Sequence, residues 1–500
     1  MTASFLFDER TIEAFMGASH DRNPLHYDER YASRTQFGRP IVYGICGVIV
    51  ALGKWCAGRS FSLRSLRVKF ERPLFYGQPY SIKWVEKGAD VQIRVFQGET
   101  VNIKIALSYA DWIADDAAPP SASAFVPLDD PLAVQWTENE LTAWARNKPS
   151  FGVDSVAVGR LLDLAELGEN QIPKPQLAFL LWASYFVGMQ VPGKQALFSE
   201  LNAEFDGQEK SFPNETSEIE GVQFDERFNR IIATGKISHA SRFDIIAYVR
   251  PNPVNSEIGE IKKLALDPER FHGRTFVISG GTRGFGEAIA KVAALQGGAV
   301  AINFRASSDE AKRVLSELSE ENCRAATFQG DIGDAGVAGD LLRKVLAEFG
   351  QVDYCICNAS PPIEARKFSD LGADGFAHFV EKSLAPTLGL LSAFLRVSPP
   401  GAMAVLISSV YATGGKSEFS HYAAAKAAQE KAFESLAKEY PRYKFLVARL
   451  PKILTDQTNV AFDREPPHRA IDVALALAET VANFPDNSNF LHVTLDKSAS

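Results

Sequence analysis

The chain has 500 residues, 46% of them hydrophobic and 23% charged, and a formal net charge of −8 at pH 7. A chain of this length does not fold around a single hydrophobic core, so the length predicts about three domains of ordinary globular composition. The acidic balance argues against a protein whose main surface binds nucleic acid, since phosphate recognition requires a basic surface.

The five cysteines, at positions 46, 56, 323, 355 and 357, form no metal-ligand or disulfide pattern. We therefore expect reduced thiols, no metal site and a cytoplasmic location. Because the charged run Asp8-Glu9-Arg10 interrupts the apolar start of the sequence, we expect no signal peptide. The most apolar stretch, 41–52, is too short to cross a bilayer and predicts a buried helix, so no membrane partner is expected.

The sequence divides into three predicted domains, at residues 1–113, 124–255 and 271–495. The segment 115–123 is rich in Pro, Ala and Ser and lacks periodicity, which is typical of a linker. Pro251-Asn252-Pro253 and the charged stretch 257–270 separate the second domain from the third. The third domain begins with the predicted strand 274–278.

The first two predicted domains look like copies of each other at a constant offset of 135 residues. In both copies an apolar helix ends near a glycine and an alternating strand follows. The matching pairs are Arg39-Pro40 with Lys174-Pro175, Gly53 with Gly188, Gly58-Arg59 with Gly193-Lys194, Leu66 with Leu201, and Phe70-Glu71 with Phe205-Asp206. At this offset Asp21, Asn23 and His26 correspond to Val156, Val158 and Leu161, so the second copy lacks their chemistry and is expected to complete the fold and shape an acyl pocket.

The N-terminal domain carries an acid and a base five residues apart, Asp21 and His26, joined by a turn at Asn23-Pro24. Such a pair can hold one water molecule and serve the addition or removal of water at a double bond conjugated to a carbonyl. The residues alone do not assign which member acts on the water and which on carbon. Asn23 and Asp28 are expected to hold the turn and the following helix start.

The run from Asp21 to Gly44 resembles the MaoC-like (R)-specific enoyl-CoA hydratases. The matching residues are Asp21-x-Asn23-Pro24-x-His26-x-Asp28-x-x-Tyr31-Ala32-x-x-Thr35-x-Phe37-Gly38-x-Pro40-Ile41-Val42-Tyr43-Gly44. The resemblance implies a hotdog fold for residues 5–110, extended to a double hotdog by the duplication. It also implies that Asp21 and His26 are catalytic and that the backbone N–H of Gly44, at a helix start, faces the thioester oxygen. Tyr43 departs from the family, which commonly has His there.

A glycine-rich loop, Gly280-Gly281-Thr282-Arg283-Gly284-Phe285-Gly286, lies between the predicted strand 274–278 and the predicted helix 287–295. Glycines at this place let a dinucleotide pyrophosphate approach a helix N-terminus. The next predicted strand, 299–304, is followed by Arg305 rather than by the carboxylate that commonly binds the ribose of NAD. Two cations, Arg283 and Arg305, therefore favour the 2′-phosphate of NADP(H).

Tyr422 and Lys426 are four residues apart and so share one face of a predicted helix, and Ser409 ends the strand before it. An ammonium near a phenol is expected to lower the phenol pKa, so that Tyr422 delivers a proton to a carbonyl oxygen as hydride arrives. Ser409 is expected to bind the same oxygen, and Lys426 also the nicotinamide ribose.

Together these elements resemble the short-chain dehydrogenase/reductase family over residues 273–490, which implies a doubly wound Rossmann fold. The resemblance adds cofactor contacts from Asp331, Asn358 and Thr455 and completes a predicted cofactor set of Gly280, Thr282, Arg283, Gly284, Phe285, Gly286, Arg305, Asp331, Asn358, Tyr422, Lys426 and Thr455. One departure is Ser383, near the place of the family's proton-relaying Asn, where we expect a less rigidly held water. Family members usually pair through helices, which predicts a homo-oligomer, either a dimer or a tetramer.

The leading hypothesis is therefore a multi-domain, bifunctional enzyme, with an N-terminal α+β double hotdog and a C-terminal α/β doubly wound Rossmann fold. It reduces a 3-oxoacyl thioester with NADPH and dehydrates the (R)-3-hydroxyacyl product to a trans-2-enoyl thioester, on CoA or an acyl carrier protein, in fatty-acid or polyketide-type biosynthesis. Two alternatives stay open. One is the catabolic reverse, hydration followed by oxidation. The other is a single active reductase with a non-catalytic, acyl-binding hotdog module.

Overall fold

The computed structural model describes residues 2–113, 125–134, 136–145, 151–206, 218–237, 241–461 and 465–495. The chain forms two compact units, residues 1–252 with 460–463 and residues 253–459 with 464–500. The predicted linker 115–123 lies outside the described residues. Within the described ranges, no helix combines the length and apolarity needed to cross a bilayer.

The N-terminal unit is built on a nine-stranded sheet in the order β1-β3-β4-β5-β2-β6-β9-β8-β7, with every pairing antiparallel. Its strands are β1 (Thr2–Leu6), β2 (Phe61–Phe70), β3 (Pro79–Lys87), β4 (Asp90–Gln97), β5 (Thr100–Asp111), β6 (Ala196–Glu204), β7 (Glu218–Asp225), β8 (Arg230–Ile237) and β9 (Ser241–Val249). Its helices are α1 (Glu9–Ser19), α2 (Glu29–Ser33), α3 (Gly44–Cys56), α4 (Glu138–Ala145), α5 (Ser155–Ala165) and α6 (Lys174–Tyr185). The apolar helices α3 and α6 are buried in one continuous core.

The strand order mirrors itself about the β2–β6 pair, since β2-β5-β4-β3 on one side matches β6-β9-β8-β7 on the other. The two central strands pair antiparallel from Ser65 opposite Glu204 to Lys69 opposite Glu200. Residues 61 and 196, at which β2 and β6 begin, are 135 residues apart. The predicted α+β hotdog architecture is confirmed, and its two halves share one sheet.

The constant offset does not extend upstream of the central helices. α1 and α5 each have 11 residues, each is capped by an aspartate (Asp8 and Asp154), and each ends at a left-handed residue (His20 with φ 56° and Glu166 with φ 55°). These features place the helices 146 residues apart, so Leu167 is the counterpart of Asp21. The predicted alignment of the catalytic turn with Val156, Val158 and Leu161 is wrong, because these three residues lie within α5 and the first half has a longer connection before its central helix. The second half still lacks the acid.

Among its described residues, the C-terminal unit has seven strands, all parallel, in the order β12-β11-β10-β13-β14-β15-β16. The strands are β10 (Thr275–Ser279), β11 (Ala299–Phe304), β12 (Ala325–Gln329), β13 (Tyr354–Cys357), β14 (Met403–Ser409), β15 (Lys444–Leu450) and β16 (Phe490–Thr494). The helices are α7 (Ile258–Ile261), α8 (Gly284–Leu295), α9 (Ser308–Glu320), α10 (Ala335–Phe349), α11 (Phe368–Val397, kinked at Gly372), α12 (Ser420–Glu439) and α13 (Ala470–Ala482).

Two apolar clusters cover the two faces of this sheet, because β10 and β11 are buried along their whole length and need helices on both sides. The order reverses between β10 and β13, and in such sheets a ligand binds at the carboxyl ends of the strands beside that reversal. The predicted doubly wound Rossmann fold is confirmed, with α8 beginning three residues earlier than the pattern indicated.

Candidate active sites

The carboxyl group of Asp21 is buried in the N-terminal unit, directly after the left-handed residue that ends α1. Its Oδ1 accepts a hydrogen bond from the backbone N–H of Asn23 at 3.1 Å, and its Oδ2 accepts one from the hydroxyl of Ser184 at 2.7 Å. Burial outweighs both bonds and raises the pKa of Asp21 to about 7. The group is therefore protonated near neutral pH far more readily than an exposed aspartate.

The second half of the unit supports the turn at Asp21, although a leucine, Leu167, stands at its own counterpart of that acid. A Cβ atom on Gly188 would lie 2.3 Å from Oδ1 of Asp21, so only a glycine lets the carboxyl group occupy its place. The side-chain amide of Asn23 donates to the carbonyl oxygens of Gly188 and Gly193, both at 2.9 Å. Asn23 thus fastens the turn of the first half to the segment that follows α6.

His26 ends a single turn of 3-10 helix at Pro24–His26, and its ring is oriented by a backbone carbonyl. Its Nδ1 lies 2.8 Å from the carbonyl oxygen of Ile41. A carbonyl only accepts, so Nδ1 carries the proton and Nε2 is the basic nitrogen. Burial, with a smaller contribution from the guanidinium of Arg250, lowers the pKa of His26 to about 3.

Tyr43 and Gly44 connect this dyad to the start of the central helix. The Tyr43 ring stacks on the His26 ring at a centroid distance of 3.8 Å, and its hydroxyl donates to the carbonyl oxygen of Asp21 at 2.6 Å. Gly44 is the first residue of α3, ahead of the first intrahelical bond from Gly47 to Tyr43, so its N–H lies among the helix donors without an intrahelical partner. The structure therefore brings together the three residues that the sequence predicted for this site.

In the C-terminal unit the glycine loop has the shape that its glycines predict. Gly280 and Gly284 have φ values of 61° and 54°, which side-chain-bearing residues rarely adopt. A Cβ atom on Gly286 would lie 2.1 Å from the carbonyl oxygen of Gly280, so the turn packs directly on the first turn of α8. The amide of Asn358 donates to the carbonyl oxygens of Ser279 and Gly280, both at 3.1 Å, and fastens the loop to the end of β13.

The remaining predicted cofactor residues flank this loop. Arg305 and Asp331 follow β11 and β12, and Nη1 of the first lies 3.5 Å from Oδ2 of the second, with both side chains exposed. A Cβ atom on Gly284 would lie 3.2 Å from the Thr455 methyl carbon, which places Thr455 beside the loop. Arg283 is the residue that precedes α8. The side chains of Thr282 and Phe285 are buried instead, so their backbone groups are the part that can face a ligand.

Ser409, Tyr422 and Lys426 meet where β14 ends and α12 begins. The Tyr422 hydroxyl hydrogen-bonds to Ser409, and the Lys426 ammonium donates to the carbonyl oxygen of Ile407 at 2.8 Å and lies 5.8 Å from the Tyr422 ring centroid. Burial raises the pKa of Tyr422 to about 12 and lowers the pKa of Lys426 to about 8. The expected lowering of the Tyr422 pKa is wrong for this structure, because burial outweighs the bond to Ser409 and also disfavours the lysine charge.

Ser383 is buried in α11, and its hydroxyl donates to the carbonyl oxygen of Phe379 at 2.8 Å. The side-chain amide of Gln429, three residues after Lys426, donates to the carbonyl oxygen of Ser383 and to the hydroxyl of Thr387, both at 2.8 Å. The proton of the Ser383 hydroxyl is thus engaged within its own helix. Gln429 is a contact of α12 with α11 that the sequence patterns did not indicate.

Fold and geometry together define a protein with two separate candidate active sites, a buried acid–base pair on an antiparallel sheet and a Ser-Tyr-Lys set on a parallel one. Family comparisons agree with this division. Residues 2–106 match the MaoC-like domain and residues 274–463 match the short-chain dehydrogenase. The chain therefore joins a MaoC-like domain to a short-chain dehydrogenase domain.

Individual relatives match the C-terminal part. The chain is 30% identical to an L-rhamnose 1-dehydrogenase (NAD(P)(+)) from Sphingomonas over 170 residues, which cover 33% of this chain and 66% of the relative. It is 28% identical to a hydroxynaphthalene reductase from Aspergillus fumigatus over 174 residues, 34% of this chain and 62% of the relative. The chain thus spans just under two thirds of these relatives. A solved short-chain dehydrogenase from Burkholderia cenocepacia in complex with NADP is 27% identical, with a TM-score of 0.42, over 45% of this chain and 98% of that one.

Proposed function

We propose that the protein reduces a 3-oxoacyl thioester to the (R)-3-hydroxyacyl thioester with NADPH and then removes water to give the trans-2-enoyl thioester. The observation that carries the proposal is a buried carboxyl group, Asp21, on the same turn as a His26 ring whose Nδ1 is held by a backbone carbonyl. Burial raises the pKa of Asp21 to about 7 and lowers the pKa of His26 to about 3, so the carboxyl group can give a proton while the neutral imidazole can take one. Dehydration needs such a pair, because one group must give a proton while the other takes one.

In the dehydration, Nε2 of His26 takes a proton from the α-carbon and Asp21 gives its proton to the departing 3-hydroxyl group. The C–H and C–O bonds break, the double bond forms, and water leaves. Negative charge grows on the thioester oxygen, where the N–H of Gly44 and the positive end of α3 stabilise it. The proton that His26 gained then returns to Asp21, directly or through water, and hydration follows the same steps in reverse.

The residues of the C-terminal unit fit NADP(H). The positive φ values of Gly280 and Gly284, and the close packing of Gly286 against the Gly280 carbonyl oxygen, give a tight turn in which a pyrophosphate can approach the N-terminus of α8. Arg305 directly follows β11, where an acidic residue would bind the ribose of NAD, and its exposed guanidinium beside Asp331 can bind the 2′-phosphate instead. When bound, the cofactor supplies the hydride to the 3-oxo carbon.

Around the substrate carbonyl, this chain's own residues handle the proton. The raised pKa of Tyr422 keeps the phenol protonated at neutral pH, so it is a donor to the carbonyl oxygen. Ser409, which already binds the phenol, orients the same oxygen. Lys426 is held against the end of β14 by Ile407 and supplies positive charge as the phenolate forms, together with a contact to the cofactor ribose.

We extend the proposal to the acyl carrier, the location and the assembly of the chain, from the cysteine pattern and the family resemblance given above. The acyl group is carried by CoA or by an acyl carrier protein, the location is cytoplasmic, and the chain forms a homo-oligomer, a dimer or a tetramer. The name of the Aspergillus relative, a reductase of a hydroxynaphthalene, supports a reductive role, as in fatty-acid or polyketide-type synthesis. The Sphingomonas relative is named as using NAD(P)+, which agrees with a nicotinamide cofactor.

The test is an assay of the purified protein with acetoacetyl-CoA and either NADPH or NADH, with products separated by chromatography. We expect NADPH to be consumed and 3-hydroxybutyryl-CoA and crotonyl-CoA to appear in that order. The Tyr422→Phe variant should lose the first step and keep crotonyl-CoA hydration, and His26→Gln should do the opposite. Preferential oxidation of 3-hydroxybutyryl-CoA with NAD+ would instead favour the catabolic direction. Hydration unaffected by His26→Gln would exclude the dyad.

A further inference from the structure

Tyr43 contacts every predicted component of the N-terminal site. Its hydroxyl donates to the backbone carbonyl of Asp21, its ring stacks on the ring of His26 with an interplanar angle of 28°, and its backbone precedes the N–H of Gly44. The Tyr43 ring also packs against the ring of Phe15 in α1, with 4.7 Å between the ring centroids. The side chain is 1% exposed, so it is held from all directions.

These contacts differ from ordinary core packing in one respect. Asp21 and His26 lie on a short turn before α2, and their side chains point to different supports, Ser184 for the acid and the carbonyl of Ile41 for the base. The Tyr43 hydroxyl fixes the backbone at one end of that turn, and the Tyr43 ring fixes the imidazole at the other end. A shift of Asp21 relative to His26 would change the distance between the acid and the base, between which the substrate must fit.

We infer that Tyr43 is a positioning residue that sets the distance and angle between the acid, the base and the helix N-terminus of this site. The inference rests on the proposed dehydration and goes beyond it, because it assigns a function to a residue at which this chain departs from the family it resembles. Tyr43 does not exchange a proton with substrate. It acts through the hydrogen bond to the Asp21 carbonyl and through the stack on His26.

The test compares three variants of the full chain in crotonyl-CoA hydration. Tyr43→Phe keeps the ring and loses the hydrogen bond, so we expect kcat to fall about tenfold while KM changes less than about twofold, since orientation affects the transition state more than ground-state binding. Tyr43→Leu also loses the stack, and kcat should fall by a further order of magnitude. Tyr43→His keeps a flat ring and a donor and should recover more activity than the leucine variant.

The matched control is Tyr443→Phe in the other unit. Its hydroxyl also donates to buried backbone carbonyls, those of Leu395 and Ser398 at 3.0 and 3.2 Å. This variant should lose similar thermal stability and keep full hydration activity. If Tyr43→Phe matches this control, with kcat unchanged, or if kcat and KM change equally, Tyr43 is only a packing residue and the inference fails.

A second measurement separates this inference from the proposed function. The nitrogen chemical shifts of selectively labelled histidine report the tautomer of His26, independently of any reaction. We expect one neutral tautomer, protonated at Nδ1, in the native chain and in Tyr43→Phe, and a mixture in Tyr43→Leu. A native chain that hydrates no enoyl-CoA would overturn the proposed function alone. A single tautomer retained in Tyr43→Leu would show that the ring does not hold His26 and would overturn the inference.

Discussion

Replacing Asp21 with asparagine should stabilise the N-terminal unit at pH 8 and leave its stability nearly unchanged at pH 4. Asparagine has the shape of the aspartate and can keep the bonds to Asn23 and Ser184, but it does not titrate. Burial raises the pKa of Asp21 from 3.8 to about 7. Between these two values the folded chain holds a proton that the unfolded chain releases, so the native protein loses stability as the pH rises through this range.

The magnitude follows from the size of the interval. Each pKa unit corresponds to about 1.4 kcal/mol, so the interval between 3.8 and about 7 amounts to roughly 4 kcal/mol of native-state stability lost by pH 8. Asp21 is 2% exposed, so solvent screening reduces this figure little. The Asp21→Asn variant should recover most of the stability that the native chain loses by pH 8. For a unit of this size the gain corresponds to about 10 °C in the midpoint of thermal unfolding.

Hydrogen exchange measured by mass spectrometry reports the stability of the N-terminal unit separately, through peptides from the buried helices α3 and α6. Exchange from these helices should slow in Asp21→Asn relative to the native chain at pH 8, after correction for the intrinsic rate, and the two should agree at the acid end. The control is Asp90→Asn, since that side chain is exposed on β4 and should change nothing. If the exchange rates of Asp21→Asn and the native chain differ equally at pH 5 and pH 8, the pKa of Asp21 is not raised by burial and the reasoning fails.

Three further changes test the contacts around the sites. Ser184→Ala removes a bond to Asp21 that is worth about 1.5–3 kcal/mol to the ionised form, so the alkaline limb of dehydration should move up by at least about one pH unit; an unmoved limb would contradict the bond. Gly188→Ala places a methyl group against the Asp21 carboxylate and should lower hydration about 100-fold, whereas Gly159→Ala within α5 should not; equal rates in the two variants would contradict the close contact. Arg305→Ala removes a charge-assisted bond, so initial-rate measurements should show a KM for NADPH raised at least tenfold and an unchanged KM for NADH. A parallel rise for both cofactors would contradict selection by Arg305.

The C-terminal unit could be predicted from sequence to a large extent because its signals are local. Gly280, Gly284 and Gly286 follow a buried strand, and the structure shows positive φ at the first two and a close approach at the third. Tyr422 and Lys426 are one helical turn apart, so their proximity follows from helix geometry alone. The effect of burial on their pKa values did not follow, since burial depends on elements that are distant in sequence.

The N-terminal site includes contacts between distant residues that sequence patterns do not predict. The turn from Asp21 to His26 is a local pattern, and the structure places both residues beside Tyr43 at the start of α3, while their catalytic role stays a prediction. Ser184, in α6, and Gly188, in the segment after it, are more than 160 residues away and carry no motif, so nothing in the sequence joined them to Asp21. The repeat itself gave a partial signal, because Gly188 corresponds to Gly53, and Gly53 packs equally closely against Ala165 near the Asp21 counterpart Leu167.

The dyad costs stability at every pH, and this explains why it needs support from both halves. His26 is held neutral with a pKa near 3 instead of 6.5, so it opposes folding as the pH falls, while Asp21 opposes folding as the pH rises. Between the ordinary pKa values of 3.8 and 6.5 the two effects change in opposite directions, and their combined cost stays constant at roughly 4 kcal/mol. No pH within this range lowers this combined cost in stability, so packing interactions must offset the cost. The second half, which has no acid of its own at the corresponding position, supplies that packing through α6 and through its close contact with the carboxyl group of Asp21. The absence of an acid at Leu167 is therefore compatible with a continued requirement for the second copy in the activity proposed for the first.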